Sequence, residues 1–225
     1  MSLPVGFDVV GATREDFVGS VPRHGTVPAE GSFQSAAAPL GDPDRVRRLG
    51  PGFAPAVAGT AVLSARRCEP TEHCELIWTD TLTEEPPRTI PVPAGRAVTS
   101  RLVLDDSGRY AAFQLARPDP DPRYDPGHPG GPSDLAVLDL GTGRLSVVPG
   151  VELAPKASAG LALSRDGRWL LIGLNEGRRA RLLVWRPGMG RPMLSPVADA
   201  SSAGGVETRG LEPLTPALQR RCSAS

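Results

Sequence analysis

The residues best able to do chemistry are few, and they lie in turns. Histidine occurs at His24, His73 and His128, each in a polar Gly- or Pro-rich stretch, and cysteine at Cys68, Cys74 and Cys222. Cys68, His73 and Cys74 supply two thiolates and an imidazole, ligand types that suit zinc. Their C-x4-H-C spacing matches no usual zinc module, and a fourth ligand is not evident. The same cysteines bracket the polar turn of RRCEPTEHCELIW. On facing strands of a hairpin, Cys68 and Cys74 could form a disulfide in an oxidising compartment; the other reading is two reduced thiols. Cys222 is expected to be unpaired.

Oxygen ligands give as little. Asp119, Asp121 and Asp125 of DPDPRYDPGHPGG are the hard donors that calcium takes. Pro122 and Pro126 interrupt the run, and no glutamate follows at EF-hand spacing, so a solvated loop is expected. Asp105-Asp106 and Glu84-Glu85 lie next to expected turns and are expected on solvated surface; adjacent side chains of an extended chain also point to opposite faces, so neither pair easily flanks a substrate. The chain holds no G-x-S-x-G elbow, P-loop or G-x-G-x-x-G motif. The expectation is no catalytic residue, no metal site and no cofactor.

The elements that must position these residues are short. Gly 26 and Pro 25 among 225 residues disfavour long helices and call for frequent turns. Hydrophobic residues make up 40%, too many for a wholly disordered chain. No stretch reaches the roughly 18 apolar residues of a membrane span. Lys+Arg 25 balances Asp+Glu 25, so the basic surplus of a nucleic-acid binder is missing. Lys156 is the only lysine, and the Ala, Arg, Gly and Pro bias looks like GC-rich coding, as in actinobacteria. The opening MSLPVGFDVVGATRED lacks the basic and apolar regions of a signal peptide. As written, the product is expected in the cytoplasm. A bridged cysteine pair would instead call for the cell envelope or the exterior, as would a missing N-terminal portion.

Internal repeats organise the chain. LVLDDSGRYAAFQL (102–115) aligns with LALSRDGRWLLIGL (161–174), each a strand, a tight turn and a second strand. Ser107-Gly108-Arg109-Tyr110 falls on Asp166-Gly167-Arg168-Trp169, and the glycines supply the positive φ of a short hairpin. SDLAVLDLGTGRLSVVP and RARLLVWRPGMGRPMLSP continue the copies through a turn ending in Gly-Arg to a fourth strand. The first copy carries a proline-rich insertion, residues 117–133, between its second and third strands. A weaker copy has strands near Thr60–Ala65, Glu75–Asp80 and Arg88–Val92. Weaker again is the start, where FDVVGAT, DFVGSV and RVRRL are expected strands around a poorly patterned middle. Residues 1–197 read as repeats (1–54 weakly, 55–197 more clearly), and 198–225 as a mobile tail.

These motifs resemble those of bacterial β-propellers of the WD40-like and TolB-like kind, with a strand–SPDGR–aromatic–strand signature followed by a Gly-containing turn. Leu161, Leu163, Ser164, Asp166, Gly167, Arg168 and Trp169 carry it in one copy. Leu102, Leu104, Ser107, Gly108, Arg109, Tyr110 and the run Asp139-Leu140-Gly141-Thr142-Gly143 carry it in the other. No copy has the Gly-His and Trp-Asp dipeptides of strict WD40 repeats. The resemblance implies an all-β propeller of four-stranded antiparallel blades. The length holds about four, fewer than many propellers, so the chain reads either as a small ring or as the C-terminal portion of a larger one. Trp78, Trp169 and Trp185 are expected to pack between blades, and Arg109 and Arg168 to bond turn carbonyls.

The resemblance implies a non-catalytic scaffold that binds a protein partner through its loops, above all Asp119, Asp121, Arg123, Tyr124, Asp125 and His128 of the insertion. The alternatives are a lactonase-like propeller enzyme and a truncated propeller without independent function. Self-association through an open blade edge is a further expectation.

Overall fold

Short apolar runs between Gly- and Pro-containing turns form strands throughout, and no helix occurs among the described residues. The computed structural model describes residues 7–22, 33–42, 44–66, 74–83, 85–99, 102–117, 131–155, 157–176 and 179–195. Blade 1 comprises β1 (Asp8–Ala12), β2 (Asp16–Pro22), β3 (Phe33–Pro39) and β4 (Arg47–Pro51). Blade 2 comprises β5 (Phe53–Ala58), β6 (Ala61–Arg66), β7 (Glu75–Asp80) and β8 (Arg88–Pro91). In blade 3, β9 (Ala97–Val98) and β10 (Val103–Leu104) both pair with β11 (Tyr110–Ala116), followed by β12 (Ser133–Asp139) and β13 (Arg144–Leu153). Blade 4 comprises β14 (Ala159–Leu163), β15 (Leu170–Glu176), β16 (Arg179–Trp185) and β17 (Met193–Leu194). β1–β4, β5–β8, β10–β13 and β14–β17 each run as an antiparallel meander in sequence order, with β9 added on β11, so the four sheets form the blades of a β-propeller.

The signature turns explain the hairpins. In blade 3, Gly108 donates its N–H to the Asp105 carbonyl and Asp105 donates to the Tyr110 carbonyl. In blade 4, Gly167 donates to Ser164 and Ser164 to Trp169 in the same pattern. Gly108 and Gly167 sit at φ +69° and +67°. The side chain at the head of the turn completes it, accepting from the amide five residues on: Tyr110 N–H to Asp105 Oδ1 at 2.7 Å, and Trp169 N–H to Ser164 Oγ at 2.9 Å. Asp105 also accepts from the Ser107 hydroxyl and is 2% exposed. The expectation of a solvated Asp105 is thus corrected, because its carboxylate organises the turn from inside.

Blades stack through apolar faces. Leu63, Leu76, Phe113, Leu115 and Leu138 join blades 2 and 3, and Leu135, Val137, Leu170, Ile172 and Trp185 join blades 3 and 4. Blades 1 and 2 share a smaller cluster of Val18, Ala37, Leu49 and Val62. The first strand of each later blade packs on its predecessor: β5 on β1, β2 and β3, β10 on β5, and β14 on β10 and β11. Among the described residues, no strand packing of that extent joins blade 4 to blade 1.

Strand register also shifts one alignment. Ala112 pairs with Val137 and Leu171 with Val184, so Arg186, rather than Trp185, stands where blade 3 has Asp139.

Candidate functional site

The long 117–132 connection leaves β11 and re-enters at β12, and its foot is built from charged and amide side chains. Arg117, just past β11, contacts Asp134 at 3.2 Å and Glu152 at 2.8 Å, while Arg96 reaches Asp134 at 2.8 Å. β12 carries Asp134, β13 carries Glu152, and the turn before β9 carries Arg96. Cross-strand pairing of Asp134 with Glu152 sets their carboxylates side by side, and two arginines neutralise them. The hydrogen bond to Asp134, then the two carboxylate charges, hold the Arg117 guanidinium still more firmly protonated than usual.

Beneath this lies Gln114, 3% exposed on β11. Its amide nitrogen donates to Ser133 Oγ at 3.0 Å and to the Ala157 carbonyl at 2.9 Å. Its oxygen accepts from Ala159 N–H at 3.4 Å. One buried amide therefore ties both ends of the long connection's hairpin to the entry of blade 4. These hydrogen bonds and ion pairs fix the two ends of the connection to the sheet and to blade 4.

Of the expected contact residues, Asp119, Asp121, Arg123, Tyr124, Asp125 and His128 lie outside the described residues, as do His24, His73, Cys68 and Cys222. Cys74 is described: it is buried just before β7 and disulfide-bonded. Among the described residues no group of three metal-ligating side chains gathers. Trp185 is buried between blades 3 and 4, and Trp78 packs at the 2–3 interface, as expected. Trp169 differs. It is 38% exposed, with the Arg186 guanidinium 5.1 Å from its ring centre.

Arg109 and Arg168 bond carboxylates rather than the expected turn carbonyls. Arg109 meets Asp139 at 3.1 Å, and Arg168 lies 3.6 Å from Asp166. Among the described residues, the arginines that do bond turn carbonyls are Arg47, to Thr81 at 3.1 Å, and Arg88, to Leu140 at 3.0 Å. Both stand at the same place in their blades, opposite the third strand (Ala37–Arg47, Trp78–Arg88), and each reaches the next blade. Their sequence contexts, RVRRL and PPRTI, share only an arginine at the head of the fourth strand, a signal that appears once the register is known.

No family model matches the chain, and no curated protein matches it. Solved structures do. TolB from Acinetobacter baumannii is similar over 83% of this chain and 42% of its own, at 12% identity and TM-score 0.54. The tricorn protease is similar over 86% of this chain and 17% of its own (15% identity, TM-score 0.54). An oligogalacturonate lyase in complex with manganese is similar over 76% and 46% (15% identity, TM-score 0.52). The fold is that of a TolB-like β-propeller. The chain spans less than half the length of each of these structures. Enzymes stand beside TolB among the matches, so the TolB-like fold is shared by proteins with and without catalytic chemistry.

Proposed function

We propose that this TolB-like propeller is a non-catalytic scaffold that holds a protein partner through its loops, chiefly the 117–132 connection. The observation that carries the reading is the stem: Arg96, Arg117, Asp134 and Glu152 form one ion-pair network below that connection, and Gln114 locks it to blade 4. Such a network gives a long loop a fixed base, as recognition loops on rigid sheets require. Asp119, Asp121, Arg123, Tyr124, Asp125 and His128 supply both charges, an aromatic ring and an imidazole for contact.

A photo-crosslinking residue at position 124 in living cells tests this. A discrete protein adduct is expected there and not from position 142, in the turn at the opposite end of the same blade. Adduct formation from both positions, or from neither, would sink the reading. Pairing of Cys74 with Cys68 belongs to the same proposal, because it would staple the connection between β6 and β7. Peptide mass spectrometry without reductant should recover the 68–74 bridge, and a 74–222 bridge would refute it.

The competing reading is a propeller enzyme, lactonase-like in its metal carboxylates, and the similar lyase's complex with manganese gives it a concrete form. Raised thermal midpoints with manganese or calcium, together with turnover of lactone or ester substrates, would favour it over the scaffold.

A further inference from the structure

Each blade has one face toward its predecessor and one toward its successor. The successor face of blade 3 consists of Tyr110, Ala112 and Gln114 on β11 with Leu135 and Val137 on β12, and blade 4 covers it. Register carries the same positions in blade 4 onto Trp169, Leu171, Gly173, Leu182 and Val184. There Trp169 and Leu171 are each 38% exposed, and Met193, paired with Val184, is 52% exposed. The face that takes the next sheet in blades 2 and 3 is only partly covered in blade 4: Trp169, Leu171 and Met193 are exposed, and Gly173, Leu182 and Val184 are half-buried.

The turns repeat the point. A Cβ on Gly108 would touch Ala61, and one on Gly167 would overlap the Tyr110 ring, so each turn glycine rests on the first residue of its predecessor's second strand. Trp169, just before β15, aligns with Tyr110 in blade 4, and its ring is met by Arg186 instead.

Charge completes the case. Blade 3 has the Arg109–Asp139 ion pair beside Tyr110, whereas blade 4 has Arg168 and Arg186 at the corresponding places, two cations for which the described residues show one carboxylate partner, Asp166 on Arg168. A carboxylate from outside would restore the pairing. A second copy of the chain offers no free predecessor face, because Ala36 and Ala38 of blade 1 are fully buried and the Phe7 ring lies against Gly19. Two blade 4 faces stacked together would bring arginines and no further complement of carboxylates.

We propose that the outward face of blade 4 is a docking surface for a partner protein's antiparallel sheet, stacked as one more blade, with an apolar side on Trp169, Leu171 and Met193 and a carboxylate at Arg168 and Arg186. This rests on the reading of the protein as a partner-binding scaffold, but places a contact on a blade face instead of a loop. An apolar anchor held by Trp with Arg beside it is the usual make-up of an interface hot spot.

The probe is a fluorescein-labelled, backbone-cyclised β-hairpin with valines on one face and an Asp-Gly turn, titrated onto the full chain by anisotropy. It should bind at least tenfold more tightly than the same hairpin with lysines in place of its acidic residues. Trp169→Ala should weaken it at least tenfold, and Arg186→Glu should reverse the preference. Both residues are exposed, so unchanged thermal midpoints are expected. If Trp169→Ala unfolds the chain, the Arg186→Glu reversal decides. Replacing residues 118–130 by a Gly-Ser segment should leave hairpin binding intact, which separates failure of this surface from failure of the loop. Absent binding, or equal binding of both hairpins, would overturn the proposal. So would sedimentation showing a dimer dissolved by Trp169→Ala, or binding gained only after residues 196–225 are removed.

Discussion

Gly143, Gly108 and Gly167 all hold positive φ, yet their surroundings differ. A Cβ at Gly143 meets nothing within 4 Å, one at Gly108 comes within 3.3 Å of Ala61, and one at Gly167 would overlap the Tyr110 ring. Alanine at Gly143 should cost only the left-handed backbone, about 1–2 kcal/mol. Alanine at Gly167 adds overpacking of about 1–3 kcal/mol. Urea denaturation should therefore rank the losses Gly167→Ala, then Gly108→Ala, then Gly143→Ala. Equal losses would show that the turns do not bear on the blade before them. A titration makes a second case. The Arg109 hydrogen bond first, then the Thr142 and Gly141 amides, hold the Asp139 carboxyl below the usual carboxylate range, against the opposing push of burial. A carboxylate depressed in the fold stabilises it above the unfolded-state pKa, and the gain is lost as pH falls through that value toward the lower folded one. Thermal midpoints of Asp139→Asn should thus lie below those of the parent at neutral pH. The two curves should converge below about pH 4. Parallel curves down to strong acid would refute the assignment.

At the scale of elements, Arg47 and Arg88 are inter-blade staples from equivalent fourth-strand positions. Arg47 also meets Asp16 at 3.1 Å, and Arg88 lies over Trp78 at 5.5 Å. Replacing Arg88 by methionine keeps an aliphatic stem and removes the bond to the next blade's carbonyl, so it should cost about 0.5–1.5 kcal/mol; Arg47→Met also takes the arginine from the buried Asp16 carboxylate and should cost more. The two lie in different interfaces and should add within error. A strongly non-additive double variant would mean that blades 1–3 respond as one block. How legible these elements were depended on side-chain size. The paired copies 102–115 and 161–174 alternate large apolar residues with others, and their strands fall where the pattern placed them. β3 and β5 left no such trace. Ala36, Ala37 and Ala38 of β3 are fully buried on both faces, so polarity does not alternate, and alanine is a weak strand former. In β5 a register shift between Phe53 and Ala56, around the buried Pro55, breaks the period of two. The foot of the candidate site was hidden for a different reason. Arg96, Arg117, Asp134 and Glu152 come from separate strands and turns, and only the pairing of β11, β12 and β13 gathers them.

For the whole molecule, stacking sheets in series makes stability a sum of neighbour interfaces, and these interfaces are unequal. The blade 2–3 cluster holds Leu63, Leu76, Phe113, Leu115 and Leu138, whereas blades 1 and 2 share Val18, Ala37, Leu49 and Val62. β11 and β12 serve both large clusters, since Ala111 and Phe113 face blade 2 while Ala112, Leu135 and Val137 face blade 4. They are also the stem of the 117–132 connection, so the strands that present the proposed contact loop are those with most to lose on opening. Amide hydrogen exchange followed by mass spectrometry should find β11 and β12 slowest, blade 1 faster, and β17 fastest, because its Met193 and Leu194 are exposed. Phe113→Ala should cost about 3–5 kcal/mol and speed exchange in blades 2 and 3 together. Val18→Ala, in the small cluster, should release blade 1 and leave β11 and β12 protected. If it released every strand equally, the four blades would be one cooperative unit, and the rigidity of the loop's stem would belong to the whole propeller rather than to the centre of the stack.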